Sequence, residues 1–274
     1  MSVSDSLIDY LDNSKTLSKC CTCCVFKLFS KHYINTGRPG APDFITCDRQ
    51  IRMIDMFMGF NDETFDFLWA IRFNNNRQWF LENKQLFLEN VQRPVTELGE
   101  EVLAYMTEKH GLDIKLHISR IYRDARYNRG AGPYKDRLWF SLRRRAENWS
   151  QTPVFFFEVL PEGYTYGMGY YKAKPLTMRA FRNIIDEDPE RFLSVISKLD
   201  MENRFEHYGE KYKRRKSTEE MAPLLAQWYD LKNIGVIARR PPGKEAYSSR
   251  LTEIVLDGYE ALLPLYEFFW SLED

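Results

Sequence analysis

Residues 154–171 are VFFFEVLPEGYTYGMGYY, and this stretch decides the fold class. Two runs rich in aromatic and β-branched residues, 154–160 and 164–171, lie on either side of Pro161-Glu162-Gly163. Residues of these types favour strands, and a short segment containing proline and glycine favours a tight turn between them. The stretch therefore predicts a β-hairpin, which is a unit of antiparallel sheet.

Further strands are predicted on the N-terminal side of this hairpin. Apolar residues recur there at every second position in two segments: Ile114, Leu116 and Ile118, and then Leu138, Phe140 and Leu142. A period of two residues places such side chains on one face of a strand. Pro161 and the glycines at 167 and 169 are compatible with a turn and with close strand packing.

Helical spacing flanks the predicted sheet on both sides. Asn61 or Asp62 can cap a first helix, and a second runs from Arg77 to a glycine stop at Gly111, with a kink or a break at Pro94. After the sheet, helices are predicted at 176–185, 189–199, 218–229 and 251–272, and a basic loop at 239–244. The sequence thus predicts an α+β fold with an antiparallel central sheet packed by N-terminal and C-terminal helices.

Composition limits the classes of protein to which the chain can belong. The 274 residues carry 39 basic and 39 acidic side chains, so no net charge attracts nucleic acid or an acidic membrane. No apolar run approaches the roughly 18 residues of a membrane span, and the first residues do not resemble a secretory signal. We therefore expect a cytoplasmic location and no membrane association.

Residues 1–52 differ from the rest of the chain. They hold all five cysteines, and Cys20, Cys21, Cys23 and Cys24 lack the intervening loop that lets four sulfurs surround a zinc ion. Met53 and Met56 are both candidate start codons. We expect residues 1–52 to be either a poorly ordered extension or a translated upstream region, residues 53–274 to form one α+β domain, and no metal or other cofactor to be bound.

Several segments after residue 56 together resemble a known family. They are Phe57-Met58-Gly59-Phe60, Asn75-Asn76-Arg77-Gln78-Trp79-Phe80, residues 119–127, Pro133-Tyr134-Lys135, residues 167–171 and Leu263-Pro264-Leu265-Tyr266. This set is similar to the family called domain of unknown function 2461 (DUF2461), which comprises uncharacterised bacterial and fungal proteins. The resemblance implies one compact α+β domain and implies no activity. The chain departs from the family pattern at residues 128–132, where glycines replace charged residues.

An arginine-rich segment is the strongest candidate for a ligand site. Residues 115–145 carry many cations and few carboxylates, and the guanidinium fork suits phosphate and carboxylate groups. We predict an anion site formed by Arg120, Tyr122, Arg126 and Lys135, in which Asp124 orients Arg123. The alternative is that these charges lie on a solvated sheet face.

Three functional hypotheses remain open from the sequence. The first is binding of a phosphorylated or carboxylated small molecule at the predicted anion site. The second is an enzyme that uses the same pocket with Glu158, Asp124 or His117 as acid or base, although Glu158 could instead form a buried pair with an arginine. The third, weakened by the zero net charge, is nucleic-acid binding through the central basic segment, Lys211–Lys216 and Arg239–Arg240. The sequence predicts no oligomeric state.

Overall fold

The computed structural model describes residues 56–124, 126, 130 and 132–273. The expected extension at 1–52, with its cysteines, lies outside these residues.

A six-stranded antiparallel sheet is the centre of the fold. Its strands are β1 (Ile114–Ile118), β2 (Leu138–Arg144), β3 (Pro153–Leu160), β4 (Gly163–Tyr170), β5 (Glu206–His207) and β6 (Gly235–Arg240). Their order across the sheet is β1-β2-β3-β4-β6-β5, and each neighbouring pair is antiparallel. The predicted hairpin forms β3 and β4, joined at Pro161 and Glu162.

The N-terminal helices begin where the predicted cap lies. In α1 (Asp62–Phe73) the side chain of Asn61 accepts a hydrogen bond from the backbone N–H of Thr64, and Thr64 bonds back to Asn61. Short helices α2 (Arg77–Glu82) and α3 (Lys84–Phe87) lead through a π-helical turn, Leu88–Gln92, into α4 (Arg93–His110). Gly111 ends α4 with a φ of 64°, a conformation that suits glycine. The helix predicted from Arg77 to Gly111 is thus divided, and the π-helical turn ends just before Pro94, which lies in the first turn of α4.

Four helices follow the hairpin. They are α5 (Pro175–Glu187), α6 (Pro189–Ile196), α7 (Pro223–Tyr229) and α8 (Arg250–Trp270). Proline lies in the first turn of α5, α6 and α7, where its missing N–H removes no helical hydrogen bond. No helix in the described part of the chain is both long and apolar enough to cross a membrane.

The two faces of the sheet have different surroundings. Helix α4 packs on β1 and β2, and helix α8 packs on β3 and β4. Most side chains facing these helices are buried. Phe155, for example, is fully buried and stacks on Tyr259 and Tyr266 of α8 at centroid distances of 4.8 and 4.4 Å. We call the other side of the sheet the open face, and its residues are the alternate ones, such as Phe156 and Glu158.

The α+β prediction is confirmed, and two of its details are wrong. Residues 239 and 240, predicted in a loop, are the last two residues of β6. The helix expected to start at residue 218 starts at Pro223. Both errors arise beside proline: Pro241-Pro242 gave the end of β6 a loop-like composition, and Pro223 fixes where α7 begins.

Candidate functional site

A cleft of about 250 Å³ lies on the open face of the sheet. One row of cross-strand neighbours runs through it, because Trp139 pairs with Glu158, Glu158 with Thr165, and Thr165 with Arg239. The row therefore brings residues from β2, β3, β4 and β6 together at one level. Three segments that follow strands contribute Trp149, Tyr171 and Tyr208 to the cleft wall.

Gly167 and Gly169 of β4 contribute no side chains to the open face of the sheet beside Thr165. A Cβ atom at Gly167 would lie 2.0 Å from the carbonyl oxygen of Val236, and one at Gly169 would lie 2.6 Å from the Cα of Gly235. Any larger residue would therefore force β4 and β6 apart. The same glycines leave room above the sheet beyond Thr165.

Glu158 is the central carboxylate of the cleft. Its side chain is 22% exposed, and its Oε2 lies 3.8 Å from an Nη1 of Arg137. Burial raises the pKa of Glu158 above its usual range, and the positive charge of Arg137 opposes that effect only in part. The expected carboxylate–arginine pair is thus present, but it lines an open cleft instead of lying in the core.

Asp136 holds Arg137 at the edge of the cleft. It accepts a hydrogen bond from Nε of Arg72 at 2.6 Å and one from Nε of Arg137 at 3.3 Å, and Arg123 lies 4.0 Å away. Burial alone would raise the pKa of Asp136, but the hydrogen bond from Arg72 and the charge of Arg137 lower it below its usual range. Arg72 also pairs with Glu162, so the group is a network rather than a single pair.

The second arginine of the cleft lies across the sheet from Arg137. Arg239 is exposed and pairs through Nε with Glu206 of β5. The next residue, Arg240, is the cross-strand neighbour of Tyr164, whose ring lies on the helix-covered face. The side chains of Arg239 and Arg240 therefore point to opposite faces of the sheet. The residues 239 and 240 therefore form no continuous basic stripe.

Aromatic rings form one wall of the cleft. The Trp149 ring centroid is 6.3 Å from that of Trp139 and 5.9 Å from that of Tyr171, which is 76% exposed. Rings at these distances present broad apolar faces to a ligand. Tyr208, about half exposed, adds a further ring to the lining.

Arg143 packs against this wall and lacks an acidic partner in the part of the chain that the structure describes. Its guanidinium carbon is 3.5 Å from the centre of the Trp149 ring, and its Nε donates to Ser141 at 2.6 Å. One terminal nitrogen is buried and unbonded. Burial lowers the pKa of Arg143 to about 10. The uncompensated charge adds positive potential to the cleft.

The arginine-rich cluster predicted from sequence lies on an arm beside the cleft. The arm consists of the paired segments 120–124 and 132–135, where Arg123 N–H donates to Pro133 and Lys135 N–H donates to Ile121. The side chain of Asn75 exchanges two hydrogen bonds with the backbone of Tyr134 and fixes the arm to the N-terminal helices.

The predicted contact between Asp124 and Arg123 does not form in the arm. Asp124 bonds Arg126, not Arg123, and Nη2 of Arg126 is 2.7 Å from its carboxylate. This pairing lowers the pKa of Asp124 to about 2. Arg123 instead donates to the carbonyl of Tyr134 at 2.7 Å. The two-residue spacing of Asp124 and Arg126 closes a local turn, which the neighbouring position cannot do.

The other predicted residues are spread along the arm. Tyr122 is half exposed and packs on Phe80 and Tyr134, while Arg120 is exposed. Nζ of Lys135 donates to the carbonyl of Arg120 at 2.6 Å. Burial lowers the pKa of Lys135, and its charge acts on Glu158, so Lys135 links the arm to the cleft.

Of the three acid or base residues predicted from sequence, Glu158 lines the cleft. Asp124 belongs to the ion pair on the arm. His117 lies on β1 across from Ser141, and burial together with the charge of Arg143 lowers its pKa. From the sequence, Arg239 was predicted only as part of a possible nucleic-acid surface, and neither Arg137 nor the aromatic wall was singled out. The alternation of Trp139 and Ser141 with Leu138 and Phe140 was the available signal for the wall.

A comparison with protein families gives one match. The family model described as "Conserved hypothetical protein (DUF2461)" matches residues 63–268, which include all the cleft residues named above. No curated protein matches the chain.

Proposed function

The chain belongs to the DUF2461 family, and from the geometry of its cleft we propose that it binds a small acid that carries a planar apolar group. Arg137 and Arg239 hold the phosphate or carboxylate of this ligand, and its planar group lies against Trp139 and Trp149. The observation that carries the proposal is the joining of two arginines and an aromatic wall in one cleft.

Charge supports an anionic ligand. The described residues in and around the cleft contain more cations than carboxylates: Arg72, Arg123, Lys135, Arg137, Arg143 and Arg239 against Asp136, Glu158, Glu162 and Glu206. Each of these four carboxylates already lies near an arginine, so the cations remain in excess. A guanidinium fork can still offer a second pair of N–H groups to a ligand.

Size and lining support a small ligand with a ring. A cleft of about 250 Å³ is slightly smaller than the usual range for small-molecule sites, which begins at about 300 Å³. Stacking on tryptophan favours a flat, unsaturated group over a branched aliphatic one. One aromatic ring with a short acidic substituent meets both requirements.

The arm remains a second candidate for the anion. Arg120, Tyr122, Arg123, Asp124, Arg126 and Lys135 stay the prediction from sequence, and of these Arg123 and Lys135 lie near the charged groups of the cleft. Nucleic-acid binding is the less favoured function, because Arg239 and Arg240 face opposite sides of the sheet. An experiment on variants can separate the cleft from the arm.

We expect phenylphosphate to raise the melting temperature of the full chain more than inorganic phosphate does, and benzylamine to leave it unchanged. A ligand that binds only the folded state stabilises it by about 2.7 kcal/mol at a concentration of 100 times its Kd. Arg239→Gln should reduce the shift with phenylphosphate, since it removes one fork. Trp149→Ala should reduce the advantage of phenylphosphate over phosphate.

The matched control is Arg120→Gln/Arg126→Gln, which removes two cations from the arm and none from the cleft. The cleft proposal requires this variant to keep the phenylphosphate shift. A shift lost in the arm variant and kept in Arg239→Gln would place the anion on the arm. Equal shifts with phenylphosphate and benzylamine would contradict anion binding altogether.

A further inference from the structure

We propose that the cleft is catalytic, with Glu158 as the base that removes a proton from the carbon next to the carbonyl group of an aryl-substituted 2-oxo acid. This inference rests on the proposed function and adds a reaction to it. It depends on one juxtaposition: a carboxylate and a guanidinium, 3.8 Å apart, face the same aromatic-lined space.

The spacing of these groups fits such a substrate. A carboxylate held by Arg137 accepts hydrogen bonds at about 2.8 Å. The ligand carbons beyond that carboxylate then lie within reach of Oε2 of Glu158, because Arg137 and Glu158 are themselves adjacent. An aryl group on the next carbon meets Trp139, which is the cross-strand neighbour of Glu158. One ligand can therefore contact all three residues.

The proton transfer is balanced without a cofactor. The C–H bond on the carbon beside the carbonyl breaks, and its proton passes to a carboxylate oxygen of Glu158. The electron pair of that bond becomes the second bond between this carbon and the carbonyl carbon, and negative charge moves to the carbonyl oxygen. Arg137 and Arg239 stabilise the negative charge. Return of the proton from Glu158 to carbon restores the substrate.

The surroundings of Glu158 suit a base. The segment before β2 presents Lys135, Asp136 and Arg137 to it, β6 presents Arg239, and its neighbours Trp139 and Thr165 are uncharged. Partial burial removes water from the carboxylate and so raises its basicity. The raised pKa gives this carboxylate a greater proton affinity than an exposed glutamate has, and the charge of Arg137 opposes that rise in part.

The test uses phenylpyruvate as the probe and the full chain in D₂O. Proton NMR measures the loss of signal from the protons on the benzylic carbon as deuterium replaces them, and exchange in buffer alone is subtracted. We expect the protein to accelerate exchange and Glu158→Gln to lower that acceleration by about 100-fold or more, the usual size of a general-base contribution. Exchange should increase with pH through the raised pKa of Glu158, since only the carboxylate form accepts a proton.

Two further variants separate catalysis from binding and folding. Glu158→Gln should keep the melting-temperature shift that phenylpyruvate gives, because Arg137 and Arg239 remain. Glu210→Gln removes an 81% exposed carboxylate that pairs with Lys232 and does not line the cleft, so it should leave exchange unchanged.

The outcomes distinguish the two proposals. Phenylpyruvate that raises the melting temperature without faster exchange overturns the catalytic inference and leaves the binding proposal standing. Exchange that Glu158→Gln does not slow also overturns the inference. Phenylpyruvate and phenylphosphate that neither stabilise nor react overturn both proposals.

Discussion

Phe155→Ala lowers the free energy of unfolding by about 3–5 kcal/mol, the usual cost of deleting a buried phenyl ring. Phe155 is fully buried and stacks on Tyr259 and Tyr266, so removing it leaves a cavity between β3 and α8. Chemical denaturation monitored by circular dichroism measures the loss. The expected effect is among the largest for a single substitution in this chain.

The neighbouring residue supplies the matched control for Phe155. Phe156 points to the open face and lines the cleft, where its ring is only partly buried. Phe156→Ala should therefore cost about 1 kcal/mol or less. Similar losses in the two variants would mean that both faces of β3 are packed, and the open face would not exist.

Asp136→Asn should lower the free energy of unfolding by about 1.5–3 kcal/mol, because the hydrogen bonds it loses join charged groups. Its carboxylate is 11% exposed and accepts from Arg72 and Arg137, which join α1 to the edge of the cleft. Asparagine carries no negative charge, so Arg72 and Arg137 each lose the ion pair that they form with Asp136. Urea denaturation at pH 7 measures the difference.

The pH dependence of this difference has a definite sign. The pKa of Asp136 is lower in the folded state, so its contribution is present above the ordinary aspartate pKa of 3.8. It is lost as the pH falls through the lowered value. The stability gap between the native chain and Asp136→Asn should therefore narrow in acid. A gap that stays constant down to pH 2 would show that the charge of Asp136 is not the cause.

Asp124→Asn is the control for Asp136. Asp124 also pairs with an arginine, but its side chain and that of Arg126 are 37% and 79% exposed. Exposed ion pairs contribute about 0–1 kcal/mol, so this variant should change stability little. An equal loss in the two aspartate variants would contradict the assigned network around Asp136.

Local patterns in the sequence predicted much of the fold. The cap at Asn61, the stop at Gly111 and the turn at Pro161 each depend on a few adjacent residues, and each lies where it was expected. The hairpin was predictable for the same reason. These features need no knowledge of which elements pack together.

The cleft depends on contacts between distant parts of the chain. Trp149, Tyr171 and Tyr208 each follow a different strand, and nothing in their local sequence shows that they meet. Arg239 joins them only because β6 pairs with β4. Asp124 illustrates a finer limit, since both Arg123 and Arg126 were within reach and backbone geometry selected Arg126. The sequence patterns therefore did not predict the pairing of β4 with β6 or the turn at Asp124.

The most direct test of the central claim is a crystal structure of the full chain with phenylphosphate. We expect the phosphate to lie between Arg137 and Arg239 beside Glu158, with the phenyl ring against Trp149 on the open face of the sheet. A phosphate bound on the arm at Arg120 and Arg126, with the open face unoccupied, would contradict the claim.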